Sequence, residues 1–302
     1  MNSFITGGAG FIGSELADRL STRGNIRCYD NLSSGRRENT GMLSDGDIMD
    51  LPRLNKKMQF FDTVFHLAAN TNTRAGMNDP SLDMYNGLLG TYNVLMAMQE
   101  NGIKNFVFSS TCGVYGEAPE PRSETDPLSP ICPYGLHKMY AEILIHDFCA
   151  KNDIKAWIFR FGNVVGGRMS NGVIRDLVLK LLADNTNLEV LGSKKPSRPF
   201  LCVEDCVDAM LYAFDNLEPD VYNIAGSGST NIGQLVGFLL KEFDLKIPVT
   251  YEPQDRGWEG SAIEVCLSPE KLKSFGWEAS MSSNAAVKKA IKEIIAFQSE
   301  VV

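Results

Sequence analysis

A short apolar run, Ser3–Thr6, passes straight into Gly7-Gly-Ala-Gly10-Phe-Ile-Gly13, and the stretch that follows, Phe11–Thr22, has helical period. Strand, glycine turn, helix is a tight unit. Without side chains the backbone can turn sharply and leave the positive end of a helix open to an anion such as a pyrophosphate. Glycine loops also serve as plain turns, so the motif needs context. Asp30 supplies it by ending the next apolar run about twenty residues on, where a carboxylate accepts hydrogen bonds from an adenosine ribose. A carboxylate there repels a 2′-phosphate, which favours NAD over NADP. Arg36 and Arg37 stand close by and read as a solvated loop pair.

Short apolar runs at Ser3–Thr6, Ile26–Tyr29, Thr63–Leu67, Phe106–Ser109 and Trp157–Phe161 alternate with longer stretches of helical period at Phe11–Thr22, Leu82–Asn101 and Tyr134–Lys151. That alternation predicts parallel strands joined by crossover helices. The fold class is therefore α/β: a Rossmann-type doubly wound parallel sheet with a smaller α/β substrate-binding domain. After Phe161, four glycines (Gly162, Gly166, Gly167, Gly172) break the pattern. A helix over Val173–Ala183, a strand over Leu188–Leu191, a helix over Val203–Phe214, a strand over Val221–Ile224 and an amphipathic helix over Asn284–Phe297 follow. The expected division is a dinucleotide-binding domain over 1–164, with 199–225 returning to it, and a substrate-binding domain over 165–302. The predicted helix Leu82–Asn101 carries a wider apolar arc than one sheet face needs, through Leu88, Leu89, Tyr92, Val94, Leu95, Met96 and Met98, which points to a homodimer.

Charge and cysteine content narrow the function classes. A formal net charge of -8 over 302 residues leaves no basic footprint for nucleic acid or a membrane surface, so any anionic ligand must be met by a few local cations. The seven cysteines are odd in number, scattered and without a Cys-x-x-Cys pair, which fits reduced thiols. The three histidines are dispersed as well, and no metal site is expected. Met1–Ile5 run directly into the glycine loop, which leaves no room for a leader, and no run approaches the ~18 apolar residues of a membrane span. The expected location is the cytoplasm.

Tyr134 and Lys138 are four apart, at the start of a predicted helix opened by Pro133. A phenol with an ordinary pKa of about 10 is a poor base at neutral pH, and an ammonium one helical turn away is placed to stabilise its anion. Ser109-Ser-Thr111 ends a strand, on the sheet edge where open α/β sheets bind ligands. Three polar partners at one edge predict proton transfer.

With these residues in view the chain resembles the extended short-chain dehydrogenase/reductases, and among them the UDP-glucose 4-epimerase-like nucleotide-sugar enzymes. The likeness runs over nearly the whole chain. It is carried by Thr6-Gly-Gly-Ala-Gly-Phe-Ile-Gly-Ser14, Asp30-Asn-Leu-Ser-Ser-Gly35, Val64-Phe-His-Leu-Ala-Ala69, Phe108-Ser-Ser-Thr-Cys-Gly-Val-Tyr-Gly116 and Tyr134-Gly-Leu-His-Lys138. Arg160-Phe-Gly-Asn-Val-Val-Gly-Gly-Arg168, Arg198-Pro-Phe-Leu-Cys-Val-Glu-Asp205 and Arg256-Gly-Trp-Glu-Gly260 extend it. The resemblance implies an NAD site lined near the adenosine by Gly7, Gly10, Phe11, Ile12, Asp30, Asn31, Asp47 and Ile48. Further along it implies Leu67, Ala68, Ala69, Ser109 and Phe161, with Tyr134 and Lys138 serving both cofactor and chemistry. It also implies that Thr111 bonds the reacting sugar hydroxyl, that Asn163 holds the nucleotide diphosphate, and that Arg198 and Arg256 clamp its phosphates. Planar guanidinium forks suit phosphate oxygens.

The family's shared opening step passes a hydroxyl proton to the tyrosinate and a hydride to the nicotinamide. Its 4,6-dehydratase branch resembles Thr-Asp-Glu where this chain has Thr111-Cys112-Gly113, so the resemblance favours 4-epimerisation of a UDP-sugar through a 4-keto sugar. A dehydratase, reductase or decarboxylase and a catalytically silent dinucleotide binder stay open as alternatives. Cys112 could act as a base only if the site lowered its pKa; otherwise it is an inert thiol. Ser261 and Gly162 depart from the usual family pattern, and His66 and His137 are expected to be structural.

Overall fold

β1 (Ser3–Thr6), β2 (Ile26–Asp30), β3 (Leu43–Asp45), β4 (Thr63–His66), β5 (Asn105–Thr111), β6 (Lys155–Phe161) and β7 (Val221–Ile224) form one all-parallel sheet in the order β7-β6-β5-β4-β1-β2-β3. The computed structural model describes residues 1–301 other than 256, 258, 259, 261 and 263, and the side chains of 299–301 lie outside that description. Strand order reverses direction between β1 and β4, which opens a crevice at the carboxyl ends of these strands.

Phe4, Ile5, Val64, Phe65, Phe106 and Phe108 are fully buried in the sheet. On one face they meet Leu16 and Leu20 of α1 (Phe11–Ser21) together with Val207 and Met210 of the helix Val203–Asn216. On the other they meet Val94, Leu95 and Met98 of α2 (Gly90–Glu100) and Ile145 of α3 (Pro133–Asn152). A separate core joins the helices Val173–Ala183, Ile232–Glu242 and Ser283–Val301 through Leu177, Val178, Leu235, Leu239, Val287 and Ile291. Burying each such side chain contributes about 1.5–3 kcal/mol. Among the described residues no helix is long and apolar enough to cross a membrane.

Two differences from the sequence pattern have physical causes. The single helix expected over Leu82–Asn101 is a turn at Ser81–Asp83, a π-helical segment Met84–Leu89 and then α2. Gly87 and Gly90 weaken the α register there, and the Thr91 hydroxyl donates to the Gly87 carbonyl inside the altered turn. The helix Leu51–Met58 escapes the pattern because it buries only Leu54 and Met58, although Asp50 caps it by accepting from the Arg53 N–H at 3.2 Å.

Candidate active site

The crevice at the strand ends begins at the glycine turn. A Cβ on Gly13 would fall 2.1 Å from the Gly7 carbonyl oxygen, so only glycine allows α1 to fold back this closely. Gly10 gives α1 no side-chain cap and its first turn has no acid, which leaves the leading N–H groups open to the cleft. Gly7, Gly10, Phe11 and Ile12 line it. This bare cradle fits a pyrophosphate.

Asp30 lies at the same end and is 8% exposed. Its Oδ2 accepts the Ala9 N–H at 3.0 Å and its Oδ1 the Leu32 N–H at 2.8 Å, which aims the carboxylate and leaves further lone pairs. Burial pushes its pKa up, against the pull of those two bonds. Arg37 is paired with Asp45 at 2.8 Å and the Arg36 guanidinium lies 5.3 Å over the Phe297 ring, so each loop arginine already has a partner in the fold. Asn31 lines the cleft and donates to Asp47 at 3.0 Å; Ile48 lines it too, while Asp47 stands just outside.

Asp30→Asn should weaken NAD binding roughly 10- to 100-fold, the worth of one charge-assisted hydrogen bond, and narrow the preference over NADP. Asparagine keeps an oxygen to accept a backbone N–H, whereas alanine would also free the loop. Titration with both dinucleotides, followed by tryptophan fluorescence, checks this; equal affinities in variant and parent would remove Asp30 from the ribose.

Farther along, Leu67, Ala68, Ala69, Ser109 and Phe161 line the cleft together with Tyr134 and Lys138. Beneath them a chain of hydrogen bonds fixes the floor. The Ala68 N–H donates to Thr6 Oγ1 at 3.3 Å, and Thr6 Oγ1 lies 2.6 Å from His66 Nδ1. His66 Nε2 lies 3.0 Å from Thr91 Oγ1, whose proton goes to Gly87. Because Thr91 has spent its proton, His66 must donate from Nε2 and accept at Nδ1 from Thr6. Burial drops the His66 pKa to about 3, so the ring is neutral and structural. His137 donates from Nδ1 to the Pro133 carbonyl, 2.8 Å away on its own helix.

α3 begins at Pro133, and its first turn packs onto the strand-end turn after β5: a Cβ on Gly135 would lie 2.5 Å from the Gly113 carbonyl oxygen. That contact sets Tyr134 and Lys138 at the sheet edge. Lys138 is 3% exposed, donates to the Ser109 carbonyl at 2.6 Å and sits 4.4 Å over the Phe108 ring. Burial lowers its pKa to about 7, while Glu142 and Asp83 act the other way. The expected acidification of Tyr134 by Lys138 is not what this arrangement produces. Burial dominates and drives the phenol pKa up, with Cys112, Asp83 and Cys132 adding to the rise.

Toward the second unit, Thr111 Oγ1 accepts the Gly113 N–H at 3.1 Å, and its hydroxyl also bonds the neighbouring Cys112 thiol. Burial pushes the Cys112 thiol up, the wrong direction for a thiolate base. Asn163 pairs with Phe200 in a short parallel ladder, and its Nδ2 is buried with no protein acceptor among the described residues. Such an orphaned donor fits a ligand oxygen. The Arg198 guanidinium reaches the Ala262 carbonyl and lies near Cys112 and Glu117; burial lowers its pKa. Arg256 and Ser261 lie outside the described residues.

Sequence reasoning missed Thr71, Asn86 and Asn171, all in the cleft wall. Asn86 is turned inward by the π segment, a register shift with no local signature beyond Gly87. Asn171 donates to the Thr71 carbonyl at 2.8 Å and so ties the glycine-flanked loop 166–172 across the cleft.

Residues 3–225 match the model of the NAD dependent epimerase/dehydratase family. The chain belongs to that family. NAD is accordingly its cofactor. The UDP-glucose 4-epimerase of Halalkalibacterium halodurans is 30% identical over 312 residues, covering 92% of this chain and 90% of that one. Among solved structures, the UDP-glucose 4-epimerase of Thermotoga maritima with UDP-glucose superposes with a TM-score of 0.89 at 30% identity, covering 100% of both chains. The UDP-glucose 4-epimerase of Thermus thermophilus in complex with NAD gives 0.87 at 27% identity, covering 98% of this chain and 99% of that chain. Thus an epimerase/dehydratase family member has, in this chain, a Tyr134–Lys138 pair on the wall of the cleft that begins at its glycine turn.

Proposed function

We propose that this family member interconverts the C4 epimers of a nucleotide-diphosphate sugar, of the UDP-glucose/UDP-galactose type, through a transient 4-keto sugar. The observation that carries the reading is the shared cleft of Gly7, Asp30, Ser109, Tyr134 and Lys138, with Thr111-Cys112-Gly113 offering no carboxylate at the end of β5. The relatives' activities support the substrate class. NAD, when bound, supplies the hydride acceptor and, oxidised, a positive ring that favours a nearby phenolate. Tyr134 Oη takes the proton of the C4 hydroxyl as the C4 hydride leaves, and returns it to the same oxygen once the 4-keto sugar has turned over and the hydride has come back to its other face. Lys138 contributes positive charge beneath it, and Thr111 donates to the reacting oxygen. Asn163, Arg198 and Arg256 hold the diphosphate. The units 1–164 with 199–225, and the remainder of 165–302, supply the dinucleotide and sugar sides respectively.

Incubation with UDP-glucose, UDP-galactose and their N-acetyl forms tests this reading. Interconversion without accumulation of NADH supports it. Loss of water would assign the dehydratase branch instead, and thermal stabilisation without turnover would assign a silent binder.

We also propose a homodimer. Tyr85 and Leu89 of the π segment and Tyr92 of α2 are 47%, 38% and 40% exposed, and Tyr140 and Ile143 of α3, which packs against both, are 44% and 60% exposed. A second copy related by a two-fold axis would cover them with its own equivalent face. Sedimentation should give a dimer, and Ile143→Asp should give a monomer; a monomeric parent protein would refute the assignment.

A further inference from the structure

A network of buried polar side chains lies behind the cleft and takes no part in the proton transfer proposed above. Glu142 and Arg160 are 6% and 5% exposed. Glu142 stands on α3 one helical turn beyond Lys138 and two beyond Tyr134, so the three side chains share a face. Arg160 comes from β6, directly opposite Ser110 in register. Its guanidinium grips the Glu142 carboxylate as a fork, with Nη2 2.7 Å from Oε2 and Nε 3.1 and 3.2 Å from the two oxygens. Its Nη1 donates to the Tyr115 hydroxyl at 2.6 Å and to the Glu124 carbonyl at 3.0 Å. The Tyr115 hydroxyl in turn lies 3.0 Å from Asn223 Oδ1 on β7.

The Ser110 hydroxyl donates to Glu142 Oε1, while the carbonyl of Ser109 accepts from Lys138. The carboxylate and the ammonium head therefore meet consecutive residues of one strand. An ion pair this deeply buried recovers little net stability after desolvation. It does fix a negative charge one turn from Lys138. Around that lysine, β5 presents the Phe108 ring and the Ser109 carbonyl, β4 presents neutral His66, β6 presents Arg160 bound to Glu142, the turn before the π segment presents Asp83, and α3 presents Tyr134 and Glu142.

We propose that Glu142 is a positioning residue acting through Lys138: its carboxylate, locked by Arg160 and Ser110, keeps the lysine head charged and seated on the Ser109 carbonyl. The kinetic consequence rests on the epimerase reading; the effect on Lys138 does not. Of the two paired charges Glu142 is the one that bears on Lys138, so removing the pair costs the ammonium its nearby anion and moves its titration to lower pH.

The test uses the double variant Glu142→Gln/Arg160→Met, which removes both charges so that neither is stranded, and Ser110→Ala, which only loosens the carboxylate. Competitive labelling with acetic anhydride across pH, read on the Lys138 peptide by mass spectrometry, gives the lysine midpoint without reference to turnover. The double variant should titrate about one unit below the parent, and Ser110→Ala should shift the same way by less. Turnover at pH 8 should fall about tenfold in the double variant with KM unchanged, the fold-change of one pKa unit. An unmoved lysine midpoint in either folded variant overturns the proposal, as does full recovery of kcat in the double variant. A parent protein inactive on every UDP-sugar would refute the epimerase reading, and the labelling midpoint would still decide the role of Glu142.

Discussion

Tyr134→Phe should reduce epimerase turnover by about 10²- to 10⁴-fold, the contribution of a positioned proton-transfer group, while NAD affinity changes little. Phenylalanine keeps the ring and loses only the oxygen. The packing of α3 against the turn after β5 depends on the close approach of Gly135 and Gly113 backbones, so the substitution leaves the helix where it is. Burial holds the phenol's pKa above its ordinary value in the protein alone. In the proposed mechanism the phenol therefore needs positive charge beyond what the protein alone supplies, and the oxidised cofactor provides it. Stopped-time assays with UDP-galactose and calorimetric titration with NAD separate the two effects. Retained turnover in the variant would remove Tyr134 from the chemistry, and a large loss of NAD affinity would mean that the hydroxyl is chiefly a cofactor ligand.

Arg160→Met should destabilise the fold by about 3–5 kcal/mol, because it leaves the Glu142 carboxylate buried without its counter-ion. The same substitution also takes the guanidinium donor from the Glu124 carbonyl and from the Tyr115 hydroxyl, which keeps its bond to Asn223. Combining it with Glu142→Gln should restore much of the loss, since a neutral amide can still meet Ser110. Urea unfolding of the single and double variants measures both values. If Arg160→Met unfolds at the parent's midpoint, the pair carries no structural weight.

Exposed ion pairs such as Lys151 with Asp147, one turn apart on α3, carry far less. Their long side chains lose entropy and their charges are screened by water, which holds such pairs to roughly 0–1 kcal/mol. Stability differences among charge variants should therefore concentrate on the buried fork rather than on the surface of the same helix.

The amino-acid order alone determined six of the seven strands in outline, because buried parallel strands read as short apolar runs and glycine turns admit few alternatives; β3, three residues long and only partly buried at the sheet edge, offers no such run. β1 and β7 fall where the pattern predicts them, and the helix Val173–Ala183 has the predicted ends. The Tyr134–Lys138 pair and Asp30 were legible because their chemistry depends on local spacing. What tertiary structure alone decided is everything set by contacts between distant segments. The π segment that turns Asn86 inward, the Asn171–Thr71 tie across the cleft and the fork of Arg160 on Glu142 each join residues that no short window relates. The raised phenol of Tyr134 belongs to the same class: helical spacing predicts its neighbour, but burial by several strands fixes its electrostatics, and desolvation is a property of the packed whole.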